Sequence, residues 1–147
     1  MKISEIMTSN PEFVTPDDGV IDVARIMERE NVGVVPVVES RDTRKAIGVI
    51  TDRDIVVRVV SQGRDPHSIT NLRDVMTQEL VTCSPNDDVD AAKRLMTEHQ
   101  LRRILVVDEH GSLTGVVAQA DLARELPKEK VGETVQAISE ETPEPRT

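Results

Sequence analysis

Gly48-Val49-Ile50-Thr51-Asp52-Arg53-Asp54 returns 67 residues later as Gly115-Val116-Val117-Ala118-Gln119-Ala120-Asp121. Upstream the step is 69 residues: Met7-Thr8 recurs as Met76-Thr77, Pro16 as Pro85, Val20 as Val89, Arg25 as Arg94, Met27 as Met96 and Val37-Val38 as Val106-Val107. The change of step is a two-residue shortening of one loop. A repeat this long is a whole supersecondary unit, not a solenoid turn. Two copies in one chain predict a pseudo-twofold pair with clefts between them, a shape suited to holding a ligand.

The 147 residues predict one compact domain or two small halves sharing a core. Each copy, at about 65 residues, is marginal alone, so the two are expected to fold together. The net charge of −9 argues against non-specific nucleic-acid binding, which needs a basic patch. It leaves room for a small anionic ligand, because a few placed arginines dominate locally. The chain has one Phe and no Trp or Tyr, so a base-binding pocket must use aliphatic side chains and backbone rather than ring stacking. The lone cysteine, Cys83, aligns with Val14 and reads as a small buried hydrophobe. No signal-peptide pattern is seen, and no apolar run approaches the length needed to span a bilayer; a cytoplasmic location is expected.

Each copy reads as β-α-β-β-α. Phe13 to Thr15 is a short strand candidate, and Pro16-Asp17-Asp18 opens a helix that Asp17 or Asp18 can cap. Val20, Val23, Ala24 and Met27 recur at helical spacing along one face. Val34 to Val38 is a buried β-branched strand, hairpin-paired with Ala46 to Thr51, and Asp52 to Val60 is a second helix ended near Gly63. The second copy repeats this order: a cap region at 84–87, a helix at 89–98, strands at 104–108 and 113–118 around a tight turn at 109–112, and a helix at 119–125. The expected organisation is therefore repeat 1 at 1–64, a linker at 65–71, repeat 2 at 72–127, and a C-terminal segment at 128–147. In that segment Val131, Val135 and Ile138 predict an amphipathic helix, followed by a disordered acidic tail from Glu140.

The chemistry is expected where the second strand of repeat 1 meets its helix. Thr51 and Asp54 put a hydroxyl and a carboxylate at one helix start, where unpaired N–H groups favour phosphate. A carboxylate can also hold the two hydroxyls of a ribose. The same spacing is that of an ordinary capping pair, Thr51 as N-cap and Asp54 as a first-turn acid. Both readings stand at this point. His67, His99 and His110 lie in different elements without metal-ligand spacing, so no metal site is predicted. No nucleophile elbow, P-loop or dinucleotide glycine motif occurs.

Taken together, Glu5-Ile6-Met7-Thr8, Gly33-Val34-Val35-Pro36-Val37-Val38 and Gly48 to Asp54 resemble one half of a tandem CBS-domain pair, or Bateman module. Arg73-Asp74-Val75-Met76-Thr77, Leu101 to Asp108 and Gly115 to Asp121 resemble the other half. The resemblance covers about residues 2 to 127, and the whole chain is similar to small stand-alone CBS proteins of the bacterial hypoxic-response type. It implies an adenosine-containing ligand (AMP, ADP, ATP, S-adenosylmethionine or NAD) in the clefts. Carried over by residue, Asp54 takes the ribose hydroxyls and Thr51 sits beside ribose or phosphate. Gly33, Val34 and Pro36 line the adenine, with Lys2 or Ile3 closing its other side. Arg102 and Arg103 match a basic pair that reaches the phosphates. The second cleft, around Asp121 and Leu101, lacks the hydroxyl at Ala118 and faces Val32-Gly33 instead of a basic pair. It is expected to be weak or empty.

The resulting expectation is a regulatory α/β module and not an enzyme: no cofactor is required, an adenine nucleotide is the ligand, and a homodimer or a protein partner carries the signal. Ile21, Ile55, Val56, Val59 and Val60 are candidates for an apolar dimer face. The alternative is a structural, stress-associated dimer with vestigial clefts.

Overall fold

A computed structural model describes residues 1–124. The C-terminal helix and acidic tail expected from the sequence lie outside them. The described chain forms two compact units, one continuous (residues 12–80) and one split, in which residues 1–11 join residues 81–124. The units therefore exchange leading segments relative to the sequence repeats. Met7-Thr8 packs with the second copy, and Met76-Thr77 with the first.

In the split unit, Thr8–Ser9 (β1), Thr82–Cys83 (β4), Arg103–Val107 (β5) and Leu113–Ala118 (β6) form one sheet in the order β1-β6-β5-β4. β1 pairs antiparallel through Thr8 with Val116, and β4 pairs parallel through Cys83 with Val106. The continuous unit has the hairpin of Val34–Val38 (β2) and Ala46–Thr51 (β3). Two single bridges flank it: Val49 with Thr77, antiparallel, and Val14 with Val37, parallel. They repeat the flanks of the first sheet in residues 67 and 69 positions apart. Phe13 to Thr15 thus contributes one bridge, not a strand.

Helices Val20–Glu30 (α1) and Val89–His99 (α3) are equivalent, and each ends on a left-handed residue, Asn31 or Gln100. Their starts correct the expected caps. Asp18 accepts the Thr15 N–H at 2.8 Å, and α1 begins beyond it, with Asp22 accepting the Gly19 N–H at 2.9 Å. Asp88 caps α3 through the Asp90 N–H at 2.9 Å. The second helix of the first copy runs as Asp52–Ile55 (α2), loosens into a π-helical stretch at Val56–Val60, and turns at Gly63 with φ of +67°. Its counterpart is Gln119–Arg124 (α4).

Each unit has its own apolar core instead of sharing one. Val23, Val35, Val37, Ile50, Val59, Leu72, Val75 and Met76 lie in the continuous unit. Ile3, Ala92, Ile104, Val106, Val117 and Leu122 lie in the split unit. Fully burying one such side chain contributes about 1.5–3 kcal/mol. The joint expected as a linker is ordered by this burial: Pro66–Ser68 is a 3-10 turn, and Ile69 and Leu72 belong to the continuous unit's core.

Candidate functional site

The site grows from the point where β3 gives way to α2. β-branched Val49, Ile50 and Thr51 favour the strand. Thr51 then has extended angles and ends it as an N-cap. The Thr51 N–H donates to Asp54 Oδ2 at 2.9 Å, and the Asp54 N–H donates to Thr51 Oγ1 at 3.0 Å, a complete capping box. The capping reading of this pair is therefore realised. The expectation of unpaired N–H groups at this helix start is not. The Asp52 N–H donates to the Gly33 carbonyl at 2.9 Å, and the Arg53 N–H to its neighbour Asp52 Oδ1 at 2.9 Å. With the Asp54 N–H also committed, backbone donors at 52–54 are spent on the fold.

Of the other residues singled out in this unit, Val34 lies opposite Thr51 in the hairpin and is half-buried. Gly33 is buried against Asp52, and Pro36 is buried while its carbonyl accepts the Val14 N–H at 3.0 Å. Gly33, Val34, Thr51 and Asp54 are thus brought to one end of one hairpin.

Two partners of Asp54 were not singled out by sequence reasoning. The Thr77 hydroxyl lies 3.1 Å from Oδ1 and 3.0 Å from Oδ2. Arg58, one turn along, brings Nε to 3.7 Å from Oδ1 and donates from Nη1 to the Met76 carbonyl at 2.8 Å. Asp54 is only 7% exposed, and it is one of two buried polar or charged residues among those described, the other being Thr15. A buried carboxylate needs such partners, because an unpaired one is expensive. The signal for Thr77 was the recurring Met-Thr pair itself.

Gly48 explains how Thr77 arrives there. A Cβ at Gly48 would stand 2.5 Å from the Thr77 carbonyl oxygen and 3.1 Å from Met76 Cε. Glycine lets the Met76-Thr77 backbone lie against β3, where it exchanges both hydrogen bonds with Val49. Gly115 repeats this in the split unit, where a Cβ would meet Met7 Sδ at 2.6 Å and the Thr8 carbonyl at 2.9 Å.

In the split unit, Asp121 keeps half of the box, accepting the Ala118 N–H at 2.9 Å. Arg103 lies opposite Ala118, as Val34 lies opposite Thr51. The Arg102 carbonyl accepts the Gln119 N–H at 2.8 Å, as Gly33 does from Asp52. Arg102 and Leu101 are exposed, and Arg103 and Asp121 are half-buried. Ile3 is wholly buried in this unit's core, which leaves its side chain no surface to offer a ligand. Lys2 is exposed.

A surface depression of about 640 Å³ in the split unit is lined by residues including Thr82, Cys83, Asp87 and Asp108, and by none of the sequence candidates. Burial, with Asp87 adding to it, pushes the Cys83 thiol up to about 12, which disfavours the thiolate form that a nucleophilic cysteine needs. No group of three or more His, Cys, Asp or Glu side chains placed to hold a metal occurs among the described residues. No described helix is long and apolar enough to cross a membrane.

A model of the CBS domain matches residues 3–61 and 72–128. The CBS domain-containing protein YhcV of Bacillus subtilis is 38% identical over 138 residues, covering 93% of this chain and 94% of that protein. Hypoxic response protein 1 of Mycobacterium tuberculosis is 31% identical over 134 residues, 91% of each chain. A crystal structure of Hypoxic Response Protein I with two coordinated zinc ions superposes with a TM-score of 0.74 at 31% identity, covering 86% of this chain and all of that one. The crystal structure of CBSX2 in complex with AMP superposes with a TM-score of 0.69 at 24% identity, covering 84% of this chain and 94% of that one.

Proposed function

The chain belongs to the CBS-domain family, and on that premise we propose that it is a regulatory module that binds an adenosine-containing nucleotide and signals through a homodimer or a protein partner. The observation that carries this reading is Asp54, a buried carboxylate held at the end of the β2–β3 hairpin beside Thr51, Gly33 and Val34. In the proposal its oxygens take ribose hydroxyls, while Val34 and the Gly33 backbone supply the aliphatic and peptide surface that a ring-poor chain must offer adenine. Arg102 and Arg103 are assigned to the phosphates by family resemblance, since guanidinium forks suit phosphate oxygens. The site around Asp121, without a hydroxyl at Ala118, is assigned the weaker role. At 24% identity the AMP-bound structure is a likeness of fold, so the ligand argument rests on these residues.

A second reading is favoured by the same carboxylate. Thr51, Thr77 and Arg58 already account for Asp54 as a structural group, as a vestigial site in a structural dimer would require. Isothermal titration with AMP, ADP, ATP, S-adenosylmethionine and NADH separates the two. The proposal expects one strong site per chain, lost in Asp54→Ala protein whose thermal melt confirms that it is folded. No heat from folded, nucleotide-free wild type supports the structural dimer instead.

A further inference from the structure

A ligand reaching Asp54 meets a carboxylate that the protein already occupies. The Thr77 hydroxyl is nearly equidistant from Oδ1 and Oδ2, at 3.1 and 3.0 Å. That places it near the bisector of the carboxylate, where two vicinal hydroxyls would each take one oxygen. A carboxylate offers about four lone-pair positions. Here Oδ2 also takes the Thr51 N–H, Oδ1 faces Arg58, and the Asp54 side chain is only 9% exposed. We infer that Thr77 is an internal stand-in for a ligand's hydroxyl pair, and that a ligand must displace it to reach Asp54, with a net gain in hydrogen bonds only where an intact vicinal diol replaces it.

This rests on Asp54 being the ribose-binding carboxylate. A diol replaces one hydroxyl with two, so it recovers the hydrogen bond it breaks and adds another. A single hydroxyl recovers only what it displaces. The movement required is small. The Thr77 backbone stays tied to Val49 by bonds of 2.9 and 2.8 Å, so release is a rotation of Thr77 about χ1 between staggered wells. Thr77 arrives on the segment following the joint, so occupancy of Asp54 is read directly by residues outside the hairpin that binds.

Titration of Thr77→Val and Thr77→Ser proteins with AMP and 2′-deoxy-AMP tests this. Valine keeps the branched shape and removes the competitor. Thr77→Val is expected to bind AMP about tenfold more tightly, which corresponds to about 1.4 kcal/mol and is in the range of one hydrogen bond to a charged group. The gain is expected to be about equal for 2′-deoxy-AMP, because either ligand displaces the same hydroxyl, and Thr77→Ser should return both wild-type affinities. In wild type, the three-bond coupling that reports Thr77 χ1 should change on addition of AMP; this readout stands even if Thr77→Val fails to fold. Unchanged or weaker AMP binding by folded Thr77→Val, or an unchanged χ1 in AMP-saturated wild type, overturns the inference alone. Absence of binding by wild type to any of the nucleotides overturns the reading of Asp54 and the inference with it.

Discussion

Replacing Gly48 by alanine tests the contact that brings the Met76-Thr77 segment to the site. The backbone at Gly48 is ordinary strand, so alanine adopts it without strain; the objection is spatial. A Cβ would lie 2.5 Å from the Thr77 carbonyl oxygen, 3.1 Å from Met76 Cε and 3.4 Å from Met76 Sδ. The methionine end can move, but the carbonyl cannot without loosening the two Val49–Thr77 hydrogen bonds of 2.9 and 2.8 Å. Those bonds are worth about 1 kcal/mol each net. Forcing the buried Met76 aside adds about 1–3 kcal/mol. Alanine restricts the unfolded chain and returns about 0.4–1 kcal/mol. The expected net loss is therefore about 2–5 kcal/mol. Gly63 is the control: it sits at φ of +67° with nothing within 4 Å, so alanine there meets only backbone strain of about 1–2 kcal/mol. Urea unfolding followed by far-ultraviolet circular dichroism measures both, since the chain has no Trp to report. A Gly48→Ala loss no larger than the Gly63→Ala loss refutes the close-approach argument.

Leu72 is wholly buried in the core of the continuous unit, although it follows the joint in sequence. Leu72→Ala is expected to cost about 2–5 kcal/mol and to reduce amide hydrogen-exchange protection across residues 12–80 more than across 81–124; the reverse pattern contradicts the exchange of segments. Acid should weaken the fold in a traceable way. The Ser112 N–H holds Asp108 below its ordinary 3.8, the His67 N–H does the same for Asp65 and the Asp90 N–H for Asp88. Because the folded pKa lies below the unfolded one, the stabilisation is present above about pH 4 and fades as pH falls through the folded value. Asp108→Asn should flatten the acid limb of stability against pH, and an unchanged slope removes Asp108 from the account.

The doubling of the chain was legible because the repeat preserves hydrophobic spacing and glycine positions across the two copies. The Thr51–Asp54 pair was equally legible, being local: a cap three residues from its acid is fixed by helix geometry. What stayed hidden depends on contacts distant in sequence. Thr77 meets Asp54 across 23 residues, and periodicity says nothing about which strand a Met-Thr pair will join. A repeat also cannot reveal whether Met7-Thr8 docks on its own copy or on the other, since the receiving surface, a glycine followed by valine, is nearly the same in both. Helix starts shifted for a related reason. Asp18 and Asp87 close turns ahead of the helices, and a sequence of successive acids does not say which of them holds the cap.

The near-identity of the two units separates what the fold needs from what it does not. The N–H of residue 51 or 118 donates to the carboxylate three residues on in both. The N–H of residue 52 or 119 reaches the carbonyl of residue 33 or 102 in both. Thr15 and Ser84 donate alike to Asp18 and Asp87, and Gly48 and Gly115 admit their Met-Thr segments alike. These bonds form whether residue 51 or 118 carries a hydroxyl, and whether the hairpin begins Gly33-Val34 or Arg102-Arg103. The Thr51 hydroxyl and the two arginine side chains are therefore not demanded by the backbone frame that both units share. The proposed nucleotide, with its hydroxyls and phosphates, is a chemistry that would draw on both, beyond the capping bond that the Thr51 hydroxyl accepts from the Asp54 N–H.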